Sequence, residues 1–125
     1  PERTERVVVV CRDEIVGDGT LELQGHGWGD GVAELRLLVA RPWQRLGLGT
    51  VIARELFHLA SRRRVDRIVA RLMRPQVGAH HILRRLGFNE EFLIPEHVRD
   101  QDGTWQDLII MRCSLEKLWR DIEFE

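Results

Sequence analysis

One stretch, residues 33–61, constrains the fold more than any other part of the chain. Its apolar run from Leu35 to Ala40 predicts a buried strand, and apolar side chains at helical spacing follow from Thr50 onward. Between them lies a turn with Gly47 and Gly49, and no capping side chain precedes the helix. A helix N-terminus presents unpaired N–H groups and a partial positive charge, and glycines without a β-carbon leave room for a ligand at the backbone. The stretch therefore predicts a turn that binds a phosphate.

Composition limits the classes of function. The chain has 125 residues, the size of one domain, with 19 Lys and Arg against 20 Asp and Glu, so no basic field suggests a nucleic-acid partner. No apolar run approaches the roughly 20 residues of a membrane span, and no signal peptide is visible. Cys11 and Cys113 have no metal-ligand spacing. We expect a cytoplasmic protein with reduced thiols, no metal site and no membrane partner.

The element order predicted from the chain is β-β-β-α-β-α-β-β-α. The strand at 33–40, the following helix and the strand at 67–73 form a crossover unit, which makes those two strands parallel. The other strands read as hairpins, with a turn over 13–19 and another at 100–103. This order indicates the α/β or α+β class, with a mixed, mainly antiparallel sheet and helices on its faces. The predicted strands are 6–12, 20–24, 33–40, 67–73, 88–98 and 105–113, and the predicted helices are 50–63, 77–86 and 115–122.

Two segments resemble the signatures of a known family. Residues 44–49 (QRLGLG) resemble the Gln/Arg-x-x-Gly-x-Gly/Ala acetyl-CoA motif of the GNAT (Gcn5-related) N-acetyltransferases. Residues 76–88 (QVGAHHILRRLGF) resemble that family's second signature, Asn-x-x-Ala-x-x-Phe-Tyr-x-x-x-Gly-Phe. The resemblance extends over residues 6–113. Within the family, the strand that begins Ala33-Glu34 is most similar to bacterial protein-lysine acetyltransferases, which place the glutamate five residues before a valine, here Val39.

The resemblance implies acetyl-CoA as co-substrate and a set of residues that bind it. The backbone of the strand would run along the pantetheine arm, the glycine turn would hold the pyrophosphate, and the second signature would border the arm. Within that signature, Gln76 and Leu83 stand where asparagine and tyrosine are usual. The implied acetyl-CoA residues are Leu37, Leu38, Val39, Gln44, Arg45, Leu46, Gly47, Leu48, Gly49, Thr50, Gln76, Ala79 and Leu83.

Catalysis in such an enzyme depends on a base, and Glu34 is the candidate. Strand alternation places it on the face opposite Leu35, and the lysine-acetyltransferase resemblance makes its carboxylate the group that removes the amine proton. The alternative is an exposed glutamate paired with Arg36 or another cation. The family's tyrosine, which serves as general acid, has no counterpart, because the chain contains no tyrosine. The general acid therefore stays unassigned, and the histidines at 80, 81 and 97 are weaker candidates for a role.

The family normally opens with a strand and two helices ahead of the strand at Arg6, and that β-α-α segment is missing here. We expect a single acetyltransferase-like domain over residues 1–125, either a fragment of a longer protein or a degenerate domain. Apolar sheet surface would then be covered by a second copy or by a neighbouring segment or domain. The favoured acceptor is a protein lysine, with a small-molecule amine second. A non-catalytic acyl-CoA sensor and a structural module with a vestigial glycine turn remain as alternatives.

Overall fold

The computed structural model describes residues 3–25, 27, 30–74 and 77–116. The element order predicted from the sequence is confirmed through the last strand, while the predicted helix at 115–122 falls mostly outside the described residues, as do His26 and Trp28. The elements are β1 (Thr4–Cys11), β2 (Glu14–Leu23), β3 (Val32–Val39), a 3-10 turn (Arg41–Trp43), α1 (Leu48–Arg62), β4 (Arg67–Met73), α2 (Val77–Arg85), β5 (Asn89–Arg99) and β6 (Trp105–Ser114).

The six strands form one sheet in the order β1-β2-β3-β4-β6-β5. Neighbours are antiparallel except β3 and β4, which are parallel as the crossover predicted. Helix α1 packs across β1, β2 and β3, and α2 lies beside it on the same face. The core lies between this sheet face and the helices, and its largest fully buried side chains are Phe88, Leu21, Leu35, Ile52, Leu56, Ile68, Leu83, Met111 and Leu115.

The opposite face of the sheet is not covered by any described element. Register places Val8, Leu38 and Phe92 on it, and their side chains are 42%, 65% and 67% exposed. The sequence predicted helices on the faces of the sheet. Within the described residues, helices cover one face. In this same part of the chain, no helix is both long and apolar enough to cross a membrane.

The first hairpin differs from the prediction. Its turn is not 13–19 but the two residues Arg12 and Asp13, whose φ values of 51° and 67° suit a tight hairpin turn. The second strand consequently begins at Glu14 and includes Gly17 and Gly19. These glycines serve packing, because a β-carbon on Gly19 would overlap Ile52 Cγ2 and lie 2.9 Å from Leu56 Cδ1. Helix α1 approaches the sheet closely where these side chains are missing.

Candidate active site

Strands β3 and β4 separate partway along their length. Their ladder has four pairs, from Val32 with Arg67 to Leu35 with Ala70. Beyond it, β3 continues to Val39 against β2, and β4 continues to Met73 against β6. Within the described residues no further pair joins the two arms, so a wedge opens between them toward the carboxyl ends of both strands. Where two neighbouring strands separate in this way, their backbone N–H and C=O groups lack a partner strand and can pair with an extended ligand.

Backbone polar groups on β3 face this wedge. The Ala40 N–H donates to Val16 O at 2.9 Å, and Val32 O accepts from Gln24 N–H at 3.0 Å, so even-numbered residues face β2. Alternation therefore turns the N–H and C=O groups of Leu37 and Val39 toward the wedge. An extended ligand lying there could pair with β3 as an added strand would.

The N-terminus of α1 follows directly. Gly47 is the N-cap residue with φ +88°, no side chain caps the helix, and its first turn has no acidic residue. The first helical bond runs from Val51 N–H to Gly47 O at 3.1 Å, which leaves the preceding N–H groups, those of Leu48, Gly49 and Thr50, without a helical acceptor. A β-carbon at Gly47 would meet nothing within 4 Å. This end of the helix is open and positively polarised, as an anion site requires.

Two residues of the QRLGLG segment have structural roles that the sequence did not predict. A β-carbon on Gly49 would lie 2.8 Å from Ile82 Cδ1, so the missing side chain of this glycine makes room for α2. Gln44 donates from Nε2 to the carbonyl oxygen of Val39 at 3.0 Å and so ties the turn to the end of β3. Arg45 and Leu46 are exposed, and Arg45 has a φ of +64°.

Helix α2 contributes mainly to the core. Leu83 is fully buried, so its side chain does not reach the wedge, and Ala79 is half-buried against the core. Gln76 lies outside the described residues. His80 is paired with Glu90 on β5 at 2.5 Å, which explains this histidine without a role in catalysis.

Glu34 lies on the uncovered face, one residue before the last β3–β4 pair. Its side chain is 14% exposed, and its Oε2 atom is 3.5 Å from Arg71 Nε and 4.0 Å from Arg36 Nε. The pairing with Arg36 is the alternative that the sequence left open, and Arg71 is the second cation. Because Glu34 sits beside the apex of the wedge, a carboxylate oxygen is available to a group held there.

A second polar cluster at the mouth of the wedge was missed in the sequence. Arg74, which follows β4, donates from Nη1 to Asp107 Oδ2 at 2.6 Å, and the N–H of Glu96 donates to Asp107 Oδ1 at 3.1 Å. The Glu96 N–H, with Arg74 as a further cause, holds the pKa of Asp107 below its ordinary value. The cluster fixes an irregular part of β5, where pairing with β6 shifts between Ile94 and Val98. Pro95, which disrupts strand pairing, was the available signal.

Solved structures share this architecture. A ribosomal-protein-alanine N-acetyltransferase from Brucella melitensis is 23% identical and superposes with a TM-score of 0.76. The match covers 87% of this chain and 67% of the Brucella chain. A GCN5-related N-acetyltransferase from Kribbella flavida is 20% identical over 91% of this chain and 69% of its own, with a TM-score of 0.79. A phosphinothricin acetyltransferase from Sinorhizobium meliloti, solved in complex with acetyl-CoA, is 17% identical and has a TM-score of 0.76. The match covers 87% of this chain and 60% of the Sinorhizobium chain.

At this level of identity the structural likeness supports the fold. No curated protein sequence matches the chain significantly. The acetyltransferase (GNAT) family model matches residues 2–88, which include the first four strands, α1 with its glycine turn, and α2. The chain belongs to the GNAT acetyltransferase family.

Proposed function

We propose that this protein transfers an acetyl group from acetyl-CoA to a primary amine. The observation that carries the proposal is the wedge between β3 and β4, which opens beside the uncapped N-terminus of α1. Acetyl-CoA has the matching chemistry, since its pyrophosphate suits the helix end and its amide-bearing arm suits the exposed strand backbone. Membership of the family and the acetyl-CoA complex of the Sinorhizobium relative support this donor.

The donor would be held mainly by the backbone. The turn and first helical turn, Arg45 to Thr50, would supply N–H groups to the pyrophosphate, with Arg45 adding a charge-assisted bond. The arm would lie along Leu37 to Val39, and an N–H there would polarise the thioester carbonyl. Gln44 would act by holding the turn against Val39. Ala79 and Gln76 remain predicted neighbours of the arm, whereas the buried Leu83 would act only through the core.

Glu34 is the proposed general base. A lysine-like ammonium has a pKa near 10.4, so only about one molecule in a thousand is neutral near pH 7.4. Glu34 would accept the ammonium proton, the nitrogen would attack the carbonyl carbon, a C–N bond would form and the C–S bond would break. The second proton that the nitrogen loses would pass to the departing thiolate, which gives coenzyme A as the thiol. Because a thiol has a pKa near 8.5, coenzyme A can leave as thiolate. This chemistry needs no tyrosine in the place of Leu83.

The resemblance to protein-lysine acetyltransferases favours a protein lysine as the acceptor. A small-molecule amine is the second candidate. Both are primary amines that could reach Glu34 from the uncovered face of the sheet.

The exposed apolar side chains on this face support the further proposal that a second copy or another segment covers part of it. Sedimentation would test this. A monomer at all concentrations would contradict the second copy.

Release of the free thiol from acetyl-CoA, measured with lysine peptides and small amines, tests the proposed reaction. We expect Glu34→Gln to lower kcat by about 100-fold while the Kd for acetyl-CoA is unchanged, because a general base acts on the acceptor. The matched control is Glu22→Gln, since Glu22 is the exposed cross-strand neighbour of Glu34 on β2. Equal losses of turnover and acetyl-CoA affinity would contradict the base. Binding without turnover for every amine would identify a sensor instead.

A further inference from the structure

Two arginines stand at the apex of the wedge, one on each arm. Arg36 is the first residue of β3 beyond the last β3–β4 pair, and Arg71 is the first residue of β4 beyond it. Strand alternation places both side chains on the uncovered face, together with Glu34. Their side chains are 69% and 63% exposed. Both side chains are positively charged, and the Glu34 carboxylate, which lies within 4.0 Å of each, is the anion between them.

The contacts of these arginines with the protein are few. Each approaches Glu34 through Nε, at 4.0 Å for Arg36 and 3.5 Å for Arg71, which is an ion pair without a hydrogen bond. Within the described residues neither guanidinium donates a hydrogen bond. The terminal Nη groups of both therefore remain available, and the planar edge of a guanidinium binds a carboxylate through two parallel bonds.

Charge at the apex favours an anion beside the reacting amine. Two guanidinium groups and the Glu34 carboxylate sum to one positive charge, and Glu22, opposite Glu34 on β2, is exposed on the far side from β4. A substrate with only an ammonium group would bring a further positive charge to the arginines. A substrate that also carries a carboxylate would place its ammonium at Glu34 and its carboxylate at the arginines.

We infer that the acceptor is a small amino acid, whose primary amine and carboxylate are separated by one to three carbon atoms. The inference rests on the proposed function, because it assumes that the amine reacts at Glu34. Of the two acceptor classes proposed there, it selects the small-molecule amine over the protein lysine. Arg36 and Arg71 are then specificity-determining residues that bind the acceptor carboxylate. The short reach follows from the ion-pair distances, since both cations lie within 4.0 Å of the carboxylate that takes the proton.

The test compares acceptors that differ in one charge. Thiol release from acetyl-CoA is measured with α-, β- and γ-amino acids, with the corresponding amides, and with an Nα-acetylated lysine amide, each corrected for its fraction of neutral amine. We expect kcat/KM to be about tenfold or more higher for at least one amino acid than for its amide. Arg36→Gln and Arg71→Gln should each remove most of that preference through KM. Arg112 lies on β6, on the same uncovered face of the sheet, and is paired with Glu91. The control variant Arg112→Gln should leave the preference for the amino acid unchanged.

The outcomes separate the inference from the proposed reaction. Turnover that is equal or faster with amides or with the lysine derivative overturns the inference and leaves the acetyltransferase intact. If no amine is acetylated, calorimetric titration of the same amino acids in the presence of coenzyme A decides. Binding that Arg71→Gln abolishes would then support a binding site for amino acids at Arg36 and Arg71 and overturn the acetyl transfer, and the lack of any binding would overturn both.

Discussion

The side-chain amide of Gln44 donates a hydrogen bond to the backbone oxygen of Val39, and this single 3.0 Å contact ties the glycine turn to the end of β3. It thereby sets the position of the helix N-terminus relative to the strand that borders the wedge. Both surfaces belong to the proposed acetyl-CoA site, so their relative placement decides how well one ligand can contact both.

Replacing Gln44 should therefore affect binding more than folding. We expect Gln44→Ala to raise the Kd for acetyl-CoA about tenfold, while it lowers the free energy of unfolding by only about 1 kcal/mol, the usual net value of one hydrogen bond. Calorimetric titration and urea unfolding measure the two quantities. Gln106→Ala is the control, because it removes a similar 3.0 Å bond from an amide to Asp100 in the β5–β6 hairpin. An equal change of Kd in both variants would contradict the role of Gln44.

Gly47 allows a second matched comparison. Gly47 and Gly103 have φ values of +88° and +81°, and a β-carbon at either would meet nothing within 4 Å. Alanine should cost about 1–2 kcal/mol of stability at each position, because the left-handed region is strained for L-residues. Only Gly47→Ala should also reduce the thermal stabilisation by acetyl-CoA, which is about 2.7 kcal/mol at 100 times Kd for an intact site. A Gly103→Ala variant with the same loss of ligand effect would argue against a cradle at Gly47.

Gly19 tests the close contact of α1 with the sheet. Alanine there would overlap Ile52 and crowd Leu56, both of which are fully buried, so we expect a loss of about 1–3 kcal/mol in urea unfolding. Gly78→Ala, in α2, meets no atom within 4 Å and should leave stability unchanged or raise it by up to about 1 kcal/mol. If Gly19→Ala were as stable as the parent chain, the packing assigned to β2 and α1 would be wrong.

Asp107 should contribute to the pH dependence of stability. Its folded-state pKa is lowered, first by the Glu96 N–H and then by Arg74, so its stabilising effect is complete above the unfolded pKa of about 3.9 and is lost as the pH falls through the folded pKa. We expect Asp107→Asn to lower stability at pH 7 and to reduce the further loss between pH 7 and pH 3. Unfolding in urea at both pH values measures this, with Asp102→Asn at the exposed hairpin tip as control. A pH dependence identical to that of the parent chain would contradict the assignment.

Local patterns predicted most of the fold. The strand at 67–73 was predicted with the bounds that the structure has, because a short apolar run between turn residues leaves few alternatives. The error at 13–19 arose because Gly17 and Gly19 look like turn residues. Glycine is needed at both positions because a β-carbon there would overlap Ile52, which lies more than thirty residues away in the sequence. No local sequence pattern contains such a contact.

The elements that form the candidate site could be predicted from the sequence, but the contacts among them could not. The glycine turn, the strand and Glu34 follow from motifs that are contiguous in sequence. Arg71 reaches Glu34 only because β4 lies beside β3, and Ile82 accounts for Gly49 only because α2 packs on α1. Such pairs depend on tertiary structure, which spacing along one strand does not encode.

The short β3–β4 ladder has a mechanical consequence. Four residue pairs connect a half-sheet of β1, β2 and β3 to a half-sheet of β4, β6 and β5, so the seam between them is the weakest line across an otherwise continuous sheet. A donor lying in the wedge would touch both halves and brace them against each other. The co-substrate would then be part of the scaffold as well as part of the reaction, and amide hydrogens along the seam would exchange more slowly once it is bound.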